Sequence, residues 1–479
     1  MPVERESLSQ NGFERKTTSS EGRLAVISLK RWPKVEVLRE KLNGKAKAKP
    51  TYRFYTLYDK VYRMDFLEAA YAQCRSNKGA SGVDEETFED IEKYGVARYL
   101  AELSDELKAM RYRPQAVRRV MIPKANQPGK FRPLGIPTIR DRIVQQAVKL
   151  LLEPIFEADF TDNAYGYRAG KSAQEAVRKV VACLHTGHVN VVDGDLSKYF
   201  DTIPHDQLLK SVQRRIADSR IVWLIRSWLK VPVQERRENG KVNMSGGKDS
   251  KVGTPQGGVI SPLLANIYFR RFLVAWVTQG YAEQYQSQII NYADDFVIVC
   301  RGNAQAAKDT AGRILARIGL KLNTTKTRAV RAWNESFDFL GYTFGKLYSK
   351  GGKEYLGLRP SDKSAGKYRE RIRELTARDQ TLKSADAVAD ALNRTTRGYW
   401  NYFKCGTVRA TLENLDKYLW DRIHRWAKRK YKRSRGGRGQ AARQTKMQAA
   451  WQKVKNGRRI LEEIRGAEPL FANAASYAQ

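Results

Sequence analysis

Cysteine and histidine are scarce in this chain, with four of each among 479 residues. Cys74, Cys183, Cys300 and Cys405 stand far apart, with no paired spacing. Neither a disulfide framework nor a zinc ribbon is therefore indicated. His185 and His188, in "HTGH", have no Cys or acidic partners at metal-binding spacing and read as surface histidines. Long apolar runs are also missing. None approaches the roughly 20 residues of a membrane span, and "MPVERESLSQ" lacks the basic start and apolar stretch of a secretory signal. Acid is the third shortage: 51 Asp and Glu stand against 88 Lys and Arg, a net charge of +37. Such a balance concerns partners rather than fold and points to a polyanion. With no membrane span, the reading is a soluble, intracellular protein that binds nucleic acid.

What remains is about three domains' length of chain. Residues 1–50 are polar and basic and end in "GKAKAKP", which predicts a flexible or loosely helical arm. Leu57, Val61, Phe66, Leu67, Ala70 and Tyr71 have helical spacing, so regular structure is expected over 57–74. "SNKGASGVD" (76–84) is a glycine-broken loop. A strand is expected at 118–124 and a turn at 125–131. Thr138 precedes Asp141 by three residues, the spacing of a capping box, and opens a helix through Phe156. Ser172 and Glu175 repeat that spacing for a helix through His185. "VNVVDGDL" (189–196) reads as a short buried strand. "SPLLANIYFRRFL" (261–273) reads as a helix with Ser261 as its cap and Pro262 in its first turn. Short strands alternating with helices predict an α+β fold with a sheet of the split βαβ kind. From about residue 361 the pattern becomes three helices. Residues 421–460 then carry 15 Lys and Arg against one acid, Asp421, with Trp420, Trp426, Tyr431 and Trp451 interleaved. This is the composition of a nucleic-acid surface.

One stretch carries chemistry. In "QIINYADDFVIVC" (288–300), Asp294 and Asp295 lie between two apolar, β-branched runs. The runs read as the buried arms of a hairpin. The acids are then either ordinary turn residues or a paired grip for divalent metal. A polymerase-type site needs carboxylates on neighbouring strands, and oxygen ligands suit hard Mg²⁺. Asp195, ending the strand in "VVDGDLSKYFD", offers a second source, and the Leu196 carbonyl beside it could also face metal.

At this point the sequence resembles a known family. "GDLSKYFDTIPHD" (194–206) and "YADD" (292–295) resemble the two catalytic motifs of reverse transcriptases. "GTPQGGVISPLLANIYF" (253–269) resembles the motif between them, and "KANQPGKFRPLGIP" (124–137) the fingers segment that meets the incoming nucleotide. "NKGASGVD" (77–84) looks like the extra N-terminal block of bacterial group II intron and non-LTR-type enzymes. "GLKLNTTKT" (319–327) and "FDFLGYTF" (337–344) match later palm blocks. "LNRTTRGYWNYF" (392–403) is similar to the maturase, or thumb, motif of group II intron-encoded proteins. The resemblance covers about residues 57–432.

The resemblance implies roles. Asp195, Asp294 and Asp295 would be the catalytic acids, and with the Leu196 carbonyl they would hold two Mg²⁺ ions, Mn²⁺ being able to substitute. Phe200 would be the steric gate that favours dNTPs over NTPs. Lys124 and Arg132 would hold the triphosphate, Arg as a fork and Lys as a point charge. Gln256 would sit by the nucleotide, and Lys326 would assist the leaving pyrophosphate. Arg397, Tyr399, Arg425, Lys428 and Arg429 would contact RNA, whereas Trp400 and Tyr402 pack a core.

The implied architecture is a right-hand polymerase. A basic N-terminal arm (1–50) precedes fingers and palm (51–360), a helical thumb or maturase domain (361–432) and a basic tail (433–479) that binds DNA and RNA. The implied function is RNA-directed DNA polymerisation by a group II intron protein. Its partners would be the intron RNA, an RNA template with a DNA primer, target DNA and dNTPs, and no membrane. The protein would also act as a maturase for the intron RNA and copy it by target-primed reverse transcription during mobility. The expected location is the bacterial cytoplasm, in association with nucleoid or RNA. Many relatives carry a Cys- and His-rich HNH nuclease. Here no cysteine follows Cys405 and no histidine follows His424, so no endonuclease is expected. Two other readings are a non-enzymatic RNA-binding splicing factor and a domesticated or defence-associated reverse transcriptase. An RNA-directed RNA polymerase is disfavoured by Phe200 and by Tyr-Ala-Asp-Asp in place of Gly-Asp-Asp.

Overall fold

The computed structural model describes residues 29–430, except 124–128, 130, 237–241 and 350. Lys124, most of the 125–131 turn, the first part of the N-terminal arm and the 433–479 tail lie outside the described residues. Eleven strands are formed within them. The first five are β1 (Val117–Pro123), β2 (Phe131–Ile136), β3 (Asn190–Asp195), β4 (Pro232–Arg236) and β5 (Val242–Gly246). The others are β6 (Ser287–Tyr292), β7 (Asp295–Cys300), β8 (Arg328–Arg331), β9 (Phe337–Phe339), β10 (Tyr342–Tyr348) and β11 (Glu354–Pro360).

The central sheet has the order β6-β7-β3-β8. Every neighbouring pair in it is antiparallel. β6 therefore runs parallel to β3 with β7 between them, which is the expected split arrangement. The β-branched runs bury both faces. Val192, Phe296 and Ile298 point into the larger core, against the helices Ser261–Thr278 and Ala304–Arg317. Val191, Val297, Val299 and Val330 point the other way, into a second core with the helix Ala173–His185 and strands β10 and β11. Side chains alternate along a strand, so Asp193, Asp195 and Asp295 belong to this second face. Gly194 takes the opposite face beneath the Phe296 ring. A Cβ there would fall inside van der Waals contact of three ring atoms.

A four-stranded sheet, β2-β1-β4-β5, lies N-terminal in character, with β1 parallel to β4 over only two residue pairs. The helix Ile139–Glu157 follows it and runs through the larger core. Pro154 lies inside this helix and removes the hydrogen bond that the Leu150 carbonyl would otherwise accept. Arg39 supplies a replacement, donating to that carbonyl at 2.6 Å and pairing with Glu153 at 2.9 Å. Asn43 donates to the Pro154 carbonyl at 2.8 Å. These bonds dock the helix Pro33–Ala48, which also buries Val35, Leu42 and Ala46. Within the expected loose arm, residues 33–48 are thus a packed element.

β9, β10 and β11 form a third sheet, which leads into three helices, Asp362–Leu375, Ala385–Tyr402 and Arg409–Lys430. Ser361 and Ser384 cap the first two. The junction is tied in both directions. Tyr342 Oη donates to the Tyr402 carbonyl at 2.7 Å, and Tyr402 Oη donates to the Leu340 carbonyl at 2.9 Å.

Three local expectations are corrected. The stretch 57–74 is two helices, Tyr58–Val61 and Met64–Ser76, because the chain turns extended at Arg63. Thr138 accepts from the Asp141 amide, but the Asp141 carboxylate does not accept from the Thr138 backbone amide, so the box is incomplete. The carboxylate accepts instead from Tyr112 Oη at 2.6 Å and the Gln115 amide at 3.0 Å, tertiary partners that outcompete the local one. Ser261 is the first residue inside its helix, and Ile260 takes the capping position. The second box is complete: Ser172 and Glu175 bond each other's backbone amides.

Candidate active site

The hairpin of β6 and β7 closes in two residues. Tyr292 pairs with Asp295, leaving Ala293 and Asp294 as the turn. Ala293 has φ of +60°, a left-handed conformation that a side chain disfavours. It is held there from outside. Asn291 donates to the Asn163 carbonyl at 3.0 Å, and the Tyr165 amide donates to the Asn291 carbonyl at 2.9 Å. Gly166 then passes directly against the turn, where a Cβ would collide with the Ala293 nitrogen. Asn266 fixes the Gly166 carbonyl at 2.7 Å.

This turn presents Asp294 beside Asp295, and Asp295 is the register partner of Asp195 on β3. Three oxygen acids thus gather at one end of the sheet, a donor set suited to a hard divalent cation. Asp195 is already engaged. Lys326 Nζ approaches its two carboxylate oxygens at 3.1 and 3.2 Å, and Asn323 Nδ2 donates at 3.0 Å. Among the described residues no group of three acids, histidines or cysteines is placed so that its side chains alone could hold a metal ion. The Leu196 carbonyl is spared by the neighbouring bridge to Leu322, whose bonds use the Asp195 carbonyl and the Ser197 amide.

Asp295 is exposed to solvent on one side but enclosed on its other sides by protein. That enclosure, with Asp294, Asp195 and Asp193 close by, pushes its carboxyl up to about 7. Burial likewise raises Asp193 to about 6, with Asp338 and Asp195 adding to the rise and Arg328 opposing it.

Gln256 bridges strand β2 and the short helix Tyr199–Thr202 that follows β3. Arg132 Nε donates to its Oε1 at 3.2 Å, and its Nε2 donates to Asp201 Oδ1 at 3.4 Å. Its carbonyl accepts from the Gly135 amide at 2.6 Å. Gly257, at φ of +113°, passes so close to the Gly135 carbonyl that no side chain fits. Phe200 is only 6% exposed and belongs to the larger core, with its carbonyl held by the Thr254 amide at 2.6 Å. Arg132 is exposed beside Gln256, and Lys326 is exposed on Asp195.

The structure adds residues that motif reading passed over. Asn323 and Asp201 lie inside quoted motifs, but their contacts arise across the fold. Tyr167, half-exposed and at φ of +57°, sits near Asp294 and Arg132, and its sequence gives no sign of this.

The distal residues divide. Arg397 is exposed, as are Arg425, Lys428 and Arg429, which share one side of their helix. Tyr399, expected at RNA, is half-buried. Its ring packs 4.8 Å from Tyr368 and 4.4 Å from Phe403, and its hydroxyl is buried. An aromatic at that helical position closes the core of the three-helix region. Trp400 is buried beside it, as expected. Two neighbouring cations are structural: Arg422 bonds Thr376 Oγ1 at 3.0 Å, and Lys430 bonds the Thr381 and Lys383 carbonyls.

Residues 122–344 match the family described as reverse transcriptase (RNA-dependent DNA polymerase), which fits acids facing across neighbouring strands of such a sheet. Residues 366–446 match the group II intron, maturase-specific domain. Protein YkfC of Escherichia coli (strain K12) is 33% identical over 356 residues, which is 67% of this chain and 90% of that protein. Group II intron-encoded protein LtrA of Lactococcus lactis subsp. cremoris is 37% identical over 217 residues, 45% of this chain and 34% of LtrA. An uncharacterized 91 kDa protein in the cob intron of Schizosaccharomyces pombe is 26% identical over 419 residues, 72% of this chain and 50% of its own length. The chain thus spans nine-tenths of one relative and half or less of the other two. It belongs to the group II intron-encoded reverse transcriptase and maturase family. Reverse transcriptases generally use divalent metal ions. No helix among the described residues is long and apolar enough to cross a membrane.

Proposed function

We propose that this chain copies its intron RNA into DNA at the Asp195, Asp294 and Asp295 cluster, and that it binds the same RNA as a maturase that promotes splicing. The observation that carries the reading is the register of Asp195 against Asp295, with Asp294 in the adjoining turn. Mg²⁺ is the proposed cofactor, two ions held by the three acids and the Leu196 carbonyl. When bound, it supplies charge for the attacking primer hydroxyl and the leaving pyrophosphate.

The remaining roles belong to the chain itself. Arg132 forks the triphosphate, and Lys124, outside the described residues, is proposed as its partner. Gln256 joins the finger strand to the nucleotide site. The Phe200 ring edge limits space at the sugar, favouring dNTPs. Lys326 leaves Asp195 to neutralise the departing pyrophosphate. Arg397, Arg425, Lys428 and Arg429 meet RNA phosphates. In this reading the central sheet is the palm of a right-hand polymerase, the β2-β1-β4-β5 sheet belongs to its fingers, and the final helices are its thumb. Target DNA supplies the primer during mobility.

The test is extension of a DNA primer on an RNA template with dNTPs and Mg²⁺, wild type beside Asp294→Ala. Wild type extends and the variant loses at least about 10²-fold, the scale of removing a transition-state contact. Tight RNA binding without extension by either protein favours the splicing-factor reading. Equal extension by both removes the site assignment.

A further inference from the structure

The loop that carries Gln256 is gripped on two sides, and only one grip lies in the nucleotide site. On the site side, Gly135 takes the Gln256 carbonyl. On the far side, Gln145 reaches out of the helix Ile139–Glu157. Its Oε1 accepts from the Val259 amide at 2.9 Å and from the Ile260 amide at 3.4 Å. Gln145 is 5% exposed, so these bonds form away from water. The loop packs closely against these groups at Gly258. A Cβ at Gly258 would stand 2.7 Å from Ser261 Oγ and 3.3 Å from the same Gln145 oxygen. The helix start is otherwise weakly held, because Ile260 offers no capping side chain. Gln145 Oε1 takes up two amides at that helix entrance, the part a capping oxygen plays from within the chain.

We propose that Gln145 is a positioning residue for the incoming nucleotide. By holding the amides of Val259 and Ile260, it fixes the height of the 255–260 loop and so the placement of Gln256 between Arg132 and Asp201. Gln145 touches no substrate; it acts through Gln256. The inference rests on the polymerase reading of the site. The needed group is an acceptor oxygen at this length, so Glu can replace Gln, whereas Met fills the space but accepts nothing, and Asn is too short to reach.

The test is steady-state primer extension by the full chain, comparing wild type, Gln145→Met, Gln145→Asn and Gln145→Glu, with primer–template affinity measured separately. Gln145→Met and Gln145→Asn raise the dNTP KM about 10-fold, leave kcat within about threefold, and do not change primer–template affinity. Gln145→Glu restores the KM to within about threefold of wild type. In a Gln256→Ala background, Gln145→Met adds no further rise. Wild-type KM in both Met and Asn variants overturns the proposal. So does failure of Gln145→Glu to rescue, or a parallel fall in kcat and primer–template affinity at constant KM. An inactive wild type sinks the polymerase reading instead, which keeps the two failures apart.

Discussion

Asp295 carries the greatest electrostatic burden of any residue at the site. Burial above all, with three other acids crowding it, pushes its carboxyl up to about 7. Because the folded state holds this proton more tightly than the unfolded chain, protonation favours folding. Stability from this group is full below about pH 4, falls as pH rises toward 7, and is lost above it. Asp295→Asn removes the repulsion. In metal-free buffer at pH 8 its melting temperature rises by about 1–3 °C over wild type, and at pH 4 the two coincide. Millimolar Mg²⁺ then raises the wild-type value more than the variant's. A variant less stable than wild type at pH 8 without metal would count against the crowding. The pair Asp294–Asp295 was plain in the sequence, as was Asp195. Repulsion between two adjacent acids also follows from the sequence, with a raised pKa that bound Mg²⁺ would relieve; the added charge of Asp193 and Asp195 does not, since it arrives from a strand about a hundred residues away.

At the scale of elements, the hairpin turn is held by a segment that motif reading left unassigned. Residues 163–166 run alongside β6 and press Gly166 on Ala293. The left-handed Ala293 needs that support, and Gly166 needs to be glycine for space rather than for its own φ. Gly166→Ala therefore shifts the turn and misplaces Asp294. Primer extension falls at least about 10-fold while primer–template affinity stays near wild type. Unchanged extension would show that the turn keeps its shape unaided. Strands and helices with strong periodicity were legible, including the split sheet and the last three helices. The breaks were not. The 57–74 helix parts at Arg63, and Pro33–Ala48 docks through Arg39 to a carbonyl left open by Pro154, a need created on another element.

For the whole molecule the governing quantity is charge, +37 over 479 residues. Phosphate contacts release counterions, so intron RNA affinity falls steeply with salt. Replacing Arg425, Lys428 and Arg429 together by Ala reduces the slope of log K against log salt by about 2–3 in magnitude, at roughly 0.7–0.9 per lost phosphate contact. A slope equal to wild type would remove these residues from the RNA surface. Arg422 and Lys430 on the same helix are excluded from that set because they bond carbonyls of the chain itself. Charge counting along the sequence could not separate the two kinds of cation.

The sequence by itself determined the family, the acid trio, the strand and helix periodicities and the basic balance, because each is written in residue type and local spacing. Tertiary structure alone decided which groups meet. It set Lys326 and Asn323 on Asp195, Gln145 behind Gln256, Gly166 against Ala293, and the Tyr399 ring against Tyr368 and Phe403. Most of these contacts join residues more than a hundred positions apart. They depend on sheet register and on the space left by neighbours, which no local pattern encodes.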